Sequence, residues 1–192
     1  MHRLANPDYV IHLQRFSSPS NILNYCSMMN IKDYAYEFVF VCPFTGERIT
    51  MKIGRSVSGR SLGERIYRQS GHIPGWGRRQ LTGSSGSDML IVLADMKEKY
   101  PHKAADLTTD NISINIWNVT YETNTHLTDD AYITRLCENA LLDEYEEIHG
   151  ELPIGNKKDT RNEMMAPHVG ERFGRLFEIV EKEEETLDNV VI

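Results

Sequence analysis

The chain has 192 residues, 40% of them hydrophobic and 26% charged, with a formal net charge of −7. This is ordinary for a globular chain of one domain, or one domain with appended helices, and the acidic total argues mildly against a general nucleic-acid binder. No apolar run approaches a membrane span and the N-terminus lacks a basic-then-apolar signal pattern, so a cytoplasmic protein without a membrane partner is expected.

Residues 1–33 read as helical. Asn6-Pro7 and Ser18-Pro19 each place a capping residue before a proline, and Tyr9, Val10, Leu13 and Phe16, then Ile22, Leu23, Cys26 and Met29, recur at helical spacing. Residues 36–42 are rich in aromatic and β-branched types and read as a strand, 43–47 as a turn, 48–53 as the return strand. With the turn centred near Gly46, Phe40 is expected across from Lys52, and Tyr36, Phe38 and Phe40 share one face.

Ser61-Leu62-Gly63-Glu64 fits a capping box, so residues 62–69 read as a short helix with Arg65 in its first turn, near the positive end. A hairpin, a glycine and then a helix-borne arginine suit a phosphate. Residues 70–86 are glycine-rich and loop-like, and carry His72, Trp76, Arg78 and Arg79. Arginines beside an aromatic suit phosphate and base contacts. The plainer alternative is that Trp76 packs on the core and the arginines are solvated.

Residues 87–100 read as a helix with Met89, Leu90, Leu93 and Met96 on its apolar face. Residues 112–119 alternate as a half-buried strand, with Ile112, Ile114 and Ile116 on one face and Ser113, Asn115 and Trp117 on the other. From Thr128 a long helix carries Ile133, Leu136, Cys137, Leu141 and Tyr145 at helical spacing, with Glu138 beside the stripe and Gly150 as its close. Residues 151–156 form a turn, 157–166 are polar, and 169–186 read as a last helix.

The order implies a small α/β fold: a three-stranded antiparallel sheet flanked by helices, with helical N- and C-terminal extensions. The divisions are a helical extension over 1–35, the sheet-bearing domain over 36–160, and a C-terminal helix with acidic tail over 161–192. Cys26, Cys42 and Cys137 are odd in number and far apart, as buried thiols in a reducing compartment are. Charge is uneven: residues 48–79 hold eight Lys/Arg against one acid, Glu64, whereas 178–188 hold six acids against Lys182. The distribution therefore matters more than the acidic sum.

These residues resemble the GIY-YIG nuclease superfamily. Phe38-Val39-Phe40 occupies the place of GIY and Lys52-Ile53-Gly54 that of YIG. Arg65, in Gly-Glu-Arg-Ile-Tyr-Arg, falls where the family arginine belongs, Glu138 where its metal-binding glutamate does, and Asn156, in Gly-Asn-Lys, resembles the terminal asparagine element. The match covers about residues 36–160. Lys-Ile-Gly-Arg-Ser resembles a branch, common in phage and bacterial proteins, in which lysine replaces the second motif tyrosine.

The resemblance implies a metal-dependent endonuclease acting on DNA, more than RNA. In it Glu138 holds Mg²⁺ or Mn²⁺, Arg65 contacts the scissile phosphate, Lys52 is general base or a second phosphate contact, and Asn156 orients a loop or the substrate. Gly54 allows close backbone approach, while Arg55, Ser56, Arg68, Arg78 and Arg79 follow the nucleic-acid backbone. Neither motif tyrosine is present; Phe40 has no hydroxyl with which to hold a water. Two alternatives follow: a weakened module that binds nucleic acid or a host protein without cutting, and an interaction protein whose terminal helices bind a host factor or a second copy. Residue by residue the plainer readings are an exposed helix acid for Glu138, a pairing with Glu64 for Arg65, a solvent-facing lysine for Lys52 and a turn residue for Asn156.

Overall fold

A computed structural model describes residues 2–4, 6–16, 19–29, 31–56, 86–119, 127–156 and 177–179. The hairpin expected from the sequence forms: β3 (Tyr34–Val41) and β4 (Arg48–Ser56) are antiparallel, and β5 (Ile112–Asn118) pairs along the other side of β3. A further strand, β2 (Tyr9–His12), lies on the outside of β5, giving four antiparallel strands in the order β2-β5-β3-β4. The helices are α1 (Pro19–Met28), α2 (Gly86–Lys99) and α3 (Leu127–His149).

The expected three-stranded sheet is thus corrected to four strands, and the expected N-terminal helix starts only at Pro19. Tyr9-Val10-Ile11-His12 has the β-branched and aromatic character of a strand, and β5 offers it an open ladder, with Tyr9 opposite Ile116 and Ile11 opposite Ile114. Asn6 therefore caps no helix, and Asp8, at the entry to β2, binds across the sheet. Its carboxylate accepts the Asn118 backbone N–H at 2.7 Å and ties the start of β2 to the end of β5.

At the other terminus Phe177–Ile179 is a strand, paired antiparallel with β1 (His2–Leu4) as β6. The helix expected over 169–186 is corrected there, because the backbone groups of these three residues are in a ladder with β1; the rest of that span lies outside the described residues.

Side chains alternate across the sheet and define two cores. Tyr34, Tyr36, Phe38 and Phe40 of β3 join Ile112, Ile114 and Ile116 of β5, Met51 of β4, Ile22 and Cys26 of α1, and Val92, Leu93 and Met96 of α2. On the other side Ala35, Ile53 and Trp117 meet Ile133, Cys137, Leu141 and Leu142 of α3. Each large side chain so buried is worth on the order of 1.5–3 kcal/mol. Because helices cover both sides, β5 is buried along its whole length, not half-buried.

The hairpin register differs from the expected one. The turn closes between Cys42 and Glu47, whose N–H and carbonyl bond at 2.8 Å, and Gly46 takes the left-handed conformation (φ 73°) inside it. Pairing runs from Val41 opposite Arg48 to Val39 opposite Thr50, then shifts by one residue to put Phe38 opposite Lys52. Met51 is the extra residue of this bulge, and it is buried with the aromatic rings. Phe40 therefore faces Ile49, not Lys52.

Candidate functional site

β4 carries four of the expected site residues in one run, and the alternation of the strand separates them. Arg55 sits opposite Ala35, on the side covered by α3. Glu138 follows Cys137 on α3 and is held at 5% exposure, so it is not an ordinary solvent-facing helix acid. The two meet: the Arg55 guanidinium donates to Glu138 Oε2 in an ion pair. Burial, and then the nearby Arg135 cation, depress the Arg55 pKa. The guanidinium nonetheless stays charged near neutral pH. Arg55 is thus engaged by a carboxylate inside the fold.

Lys52 and Gly54 belong to the opposite side by register, across from Phe38 and Tyr36. Lys52 and Glu138 therefore start from opposite faces of β4. Gly54 allows a close approach, but by a ring: a Cβ there would lie 2.5 Å from the Tyr36 hydroxyl oxygen and 2.6 Å from Cζ. Phe40 is fully buried among the aromatics. Ser56, expected at the nucleic-acid backbone, is buried opposite Tyr34. Arg65, Arg68, Arg78 and Arg79, with the helix over 62–69 and the loop after it, lie outside the described residues.

Asn156 orients a loop. Its side-chain Oδ1 accepts the Ile53 N–H at 2.9 Å and its Nδ2 donates to the Ile53 carbonyl at 2.8 Å. The Gly155 N–H donates to the Met51 carbonyl at 2.8 Å. The segment after α3 thus adds itself to the outer edge of β4, with one side-chain amide standing in for a strand residue. Gly155 must be glycine for this: a Cβ would lie 2.6 Å from the Met51 carbonyl oxygen and 3.0 Å from Lys52 Cβ.

One polar residue escaped the sequence reading. Glu37 sits in the middle of β3, where Thr50 Oγ1 donates to its Oε1 at 2.5 Å and Asn115 Nδ2 donates to its Oε2 at 2.8 Å. The available signal was a lone carboxylate within Tyr-Ala-Tyr-Glu-Phe-Val-Phe-Val. A charge placed inside so apolar a strand has to be held by partners.

Among the described residues no group of three His, Cys, Asp or Glu is placed to hold a metal ion. Glu138 alone fits Mg²⁺ only in the mode where water and phosphate oxygens fill most of the coordination shell. No helix among the described residues is long and apolar enough to cross a membrane. Comparison with protein-family models, with curated proteins and with solved structures yields no match.

Proposed function

We propose that the chain is a GIY-YIG-like endonuclease module, of phage or bacterial type, that hydrolyses phosphodiester bonds in DNA with Mg²⁺ or Mn²⁺. The observation that carries this reading is the part-buried Arg55–Glu138 pair, a carboxylate and a guanidinium brought together from β4 and α3 immediately after the Lys52-Ile53-Gly54 element. The hairpin, the later strand, the glutamate-bearing helix and the asparagine-bearing turn follow in the order the resemblance implies. Bound at Glu138, the metal would supply charge stabilisation to the phosphate and an acidified water. Arg55 holds the Glu138 carboxylate in place, and Arg65 is the phosphate donor; Lys52, on the other face by register, takes no part at this centre.

Incubating the purified chain with plasmid and Mg²⁺, beside Glu138→Gln and Arg65→Ala, tests this. Cleavage by the parent chain that both variants lose supports hydrolysis; cleavage retained in Glu138→Gln removes the proposed centre.

A second reading is a module that binds DNA without cutting. It is favoured by the register, which sets Lys52 on the face away from Glu138 and buries the hydroxyl-free Phe40. Binding that weakens steeply with salt, with no cleavage under any divalent metal, is its signature.

A further inference from the structure

On the α3 side of the sheet, beyond the Arg55–Glu138 pair, lies an open cleft of about 410 Å³. Glu37 and Trp117 line its sheet side, Tyr145 and His149 its helix side, and Arg48 also borders it. Nothing in the nuclease reading uses these groups. We infer that this cleft is a recognition pocket for an unpaired guanine base, an inference that rests on the chain acting on nucleic acid.

The chemistry is that of Glu37. Thr50 and Asn115 take one acceptor site on each carboxylate oxygen and fix the plane of the group. A carboxylate offers about four lone-pair sites, so each oxygen keeps one for a ligand. Two parallel acceptors call for two parallel donors. Guanine alone among the DNA bases presents them, N1–H beside the N2 amine. Adenine and cytosine offer a donor beside an acceptor, and thymine a single donor between two carbonyls.

The walls suit a flat base. The Tyr145 and His149 rings stack at 4.2 Å between centroids, 30° from parallel. Trp117, 5% exposed, closes the floor from within the core, so the stacking surface is that of the Tyr145 and His149 rings. Aromatic faces of this kind bind bases by stacking.

One permanent cation, Arg48, is set against the other planar double donor, a guanidinium. Arg48 borders the cleft, and a cationic ligand would meet it, whereas a nucleotide brings a phosphate to it. The interior itself is unsuited to phosphate. Glu144 lines it beside Glu37, and burial, then the negative charges of Glu151 and Glu37, raise the Tyr145 pKa. The base edge therefore goes inward and the phosphate stays at the mouth.

Position links the pocket to the proposed centre. Tyr145 stands seven residues after Glu138, which is about 10 Å along the helix and close to the same face. At about 3.4 Å per base step along one strand, that is on the order of three steps. A guanine in the cleft would set the register of a strand whose phosphate lies beside Glu138.

Calorimetric titration of the full chain with GMP, AMP, IMP and arginine amide tests this. GMP is expected to bind about tenfold more tightly than AMP or IMP, the discrimination of one good bidentate pair. Glu37→Gln turns one acceptor into a donor and should bring GMP down to the AMP level. Tyr145→Leu, on a half-exposed helix position, should weaken all three nucleotides about fivefold or more while keeping their ratio. Circular dichroism establishes that each variant is folded.

Equal affinity for GMP and AMP overturns the proposal. So does tighter binding of arginine amide, which would make the cleft a cation pocket, and so does no binding by the folded parent chain. The same titration of Glu138→Gln separates the two readings. A chain that cuts DNA but does not prefer GMP fails only here, and one that prefers GMP without cutting fails only as a nuclease.

Discussion

Along β3, successive residues serve two different environments. Tyr34, Tyr36, Phe38 and Phe40 point to one side, where Tyr34 and Tyr36 lie 6.1 Å apart between ring centroids and Tyr36 meets Phe38 edge to face at 5.7 Å. The intervening positions hold Ala35, Glu37 and Val39, joined from neighbouring strands by Arg55, Thr50 and Asn115. The first side is an aromatic core sealed by α1 and α2, and the second combines an apolar centre with oriented polar pairs under α3. The two sides are therefore suited to different tasks. The aromatic side contributes burial that is non-directional and roughly proportional to area. The α3 side holds charged groups at fixed angles, and these are the groups able to act on a ligand.

Substitutions on the two sides should differ in cost. Phe38→Ala should cost the most, about 3–5 kcal/mol, because it opens a cavity among packed rings; urea denaturation measures it. Glu138→Ala on the other side should cost about 2–3 kcal/mol, less than the 3–5 kcal/mol of a fully buried pair, since the Arg55 side chain keeps 20% exposure. The sharper version is the double change Arg55→Leu with Glu138→Leu, which should recover most of that loss because no buried charge is left unpaired. If the double variant is as unstable as the single one, the pair is not the determinant. Asn156→Ala, which removes two hydrogen bonds from the edge of β4, should cost about 1–2 kcal/mol by the same denaturation assay.

The smallest effect near neutral pH concerns Cys26, on the aromatic side. Burial pushes its thiol from 9.0 up to about 12. The folded chain therefore holds this proton more tightly than the unfolded one. The resulting stabilisation is complete below pH 9 and is lost as pH rises from 9 towards 12. Melting temperatures across that range should fall, and Cys26→Ala should make the fall shallower. An unchanged slope would show that other groups govern alkaline unfolding.

Much of the fold was legible because it rests on local period. The hairpin, β5 and the α3 stripe all announce themselves by alternation or by helical spacing. β2 was not legible: Tyr9 and Val10, followed by Leu13 and Phe16, fit a helix as well as a strand, and only the open ladder of β5 decides. The bulge at Met51 was hidden for a similar reason, since a turn closed between Cys42 and Glu47 differs from one centred on Gly46 by details of backbone bonding. For the candidate site, residue types were readable and pairings were not. Arg55 and Glu138 stand 83 positions apart, and nothing in either neighbourhood reports the other. Gly-Asn-Lys suits a loop or a substrate contact equally, and nothing local in it points to the Ile53 backbone as the partner of Asn156.

That last contact also has a consequence in time. The outer edge of β4 is closed by a residue 103 positions later than Ile53. At translation rates of about 5–20 residues per second, roughly 5–20 s separate the synthesis of Ile53 from that of the residue that pairs with it among the described residues. During that interval the unpaired N–H and carbonyl groups of Ile53 are a template for any passing strand. Arrival of the Pro-Ile-Gly-Asn turn ends the exposure, so the amide of Asn156 acts as the closing step of assembly as much as a support for the finished sheet.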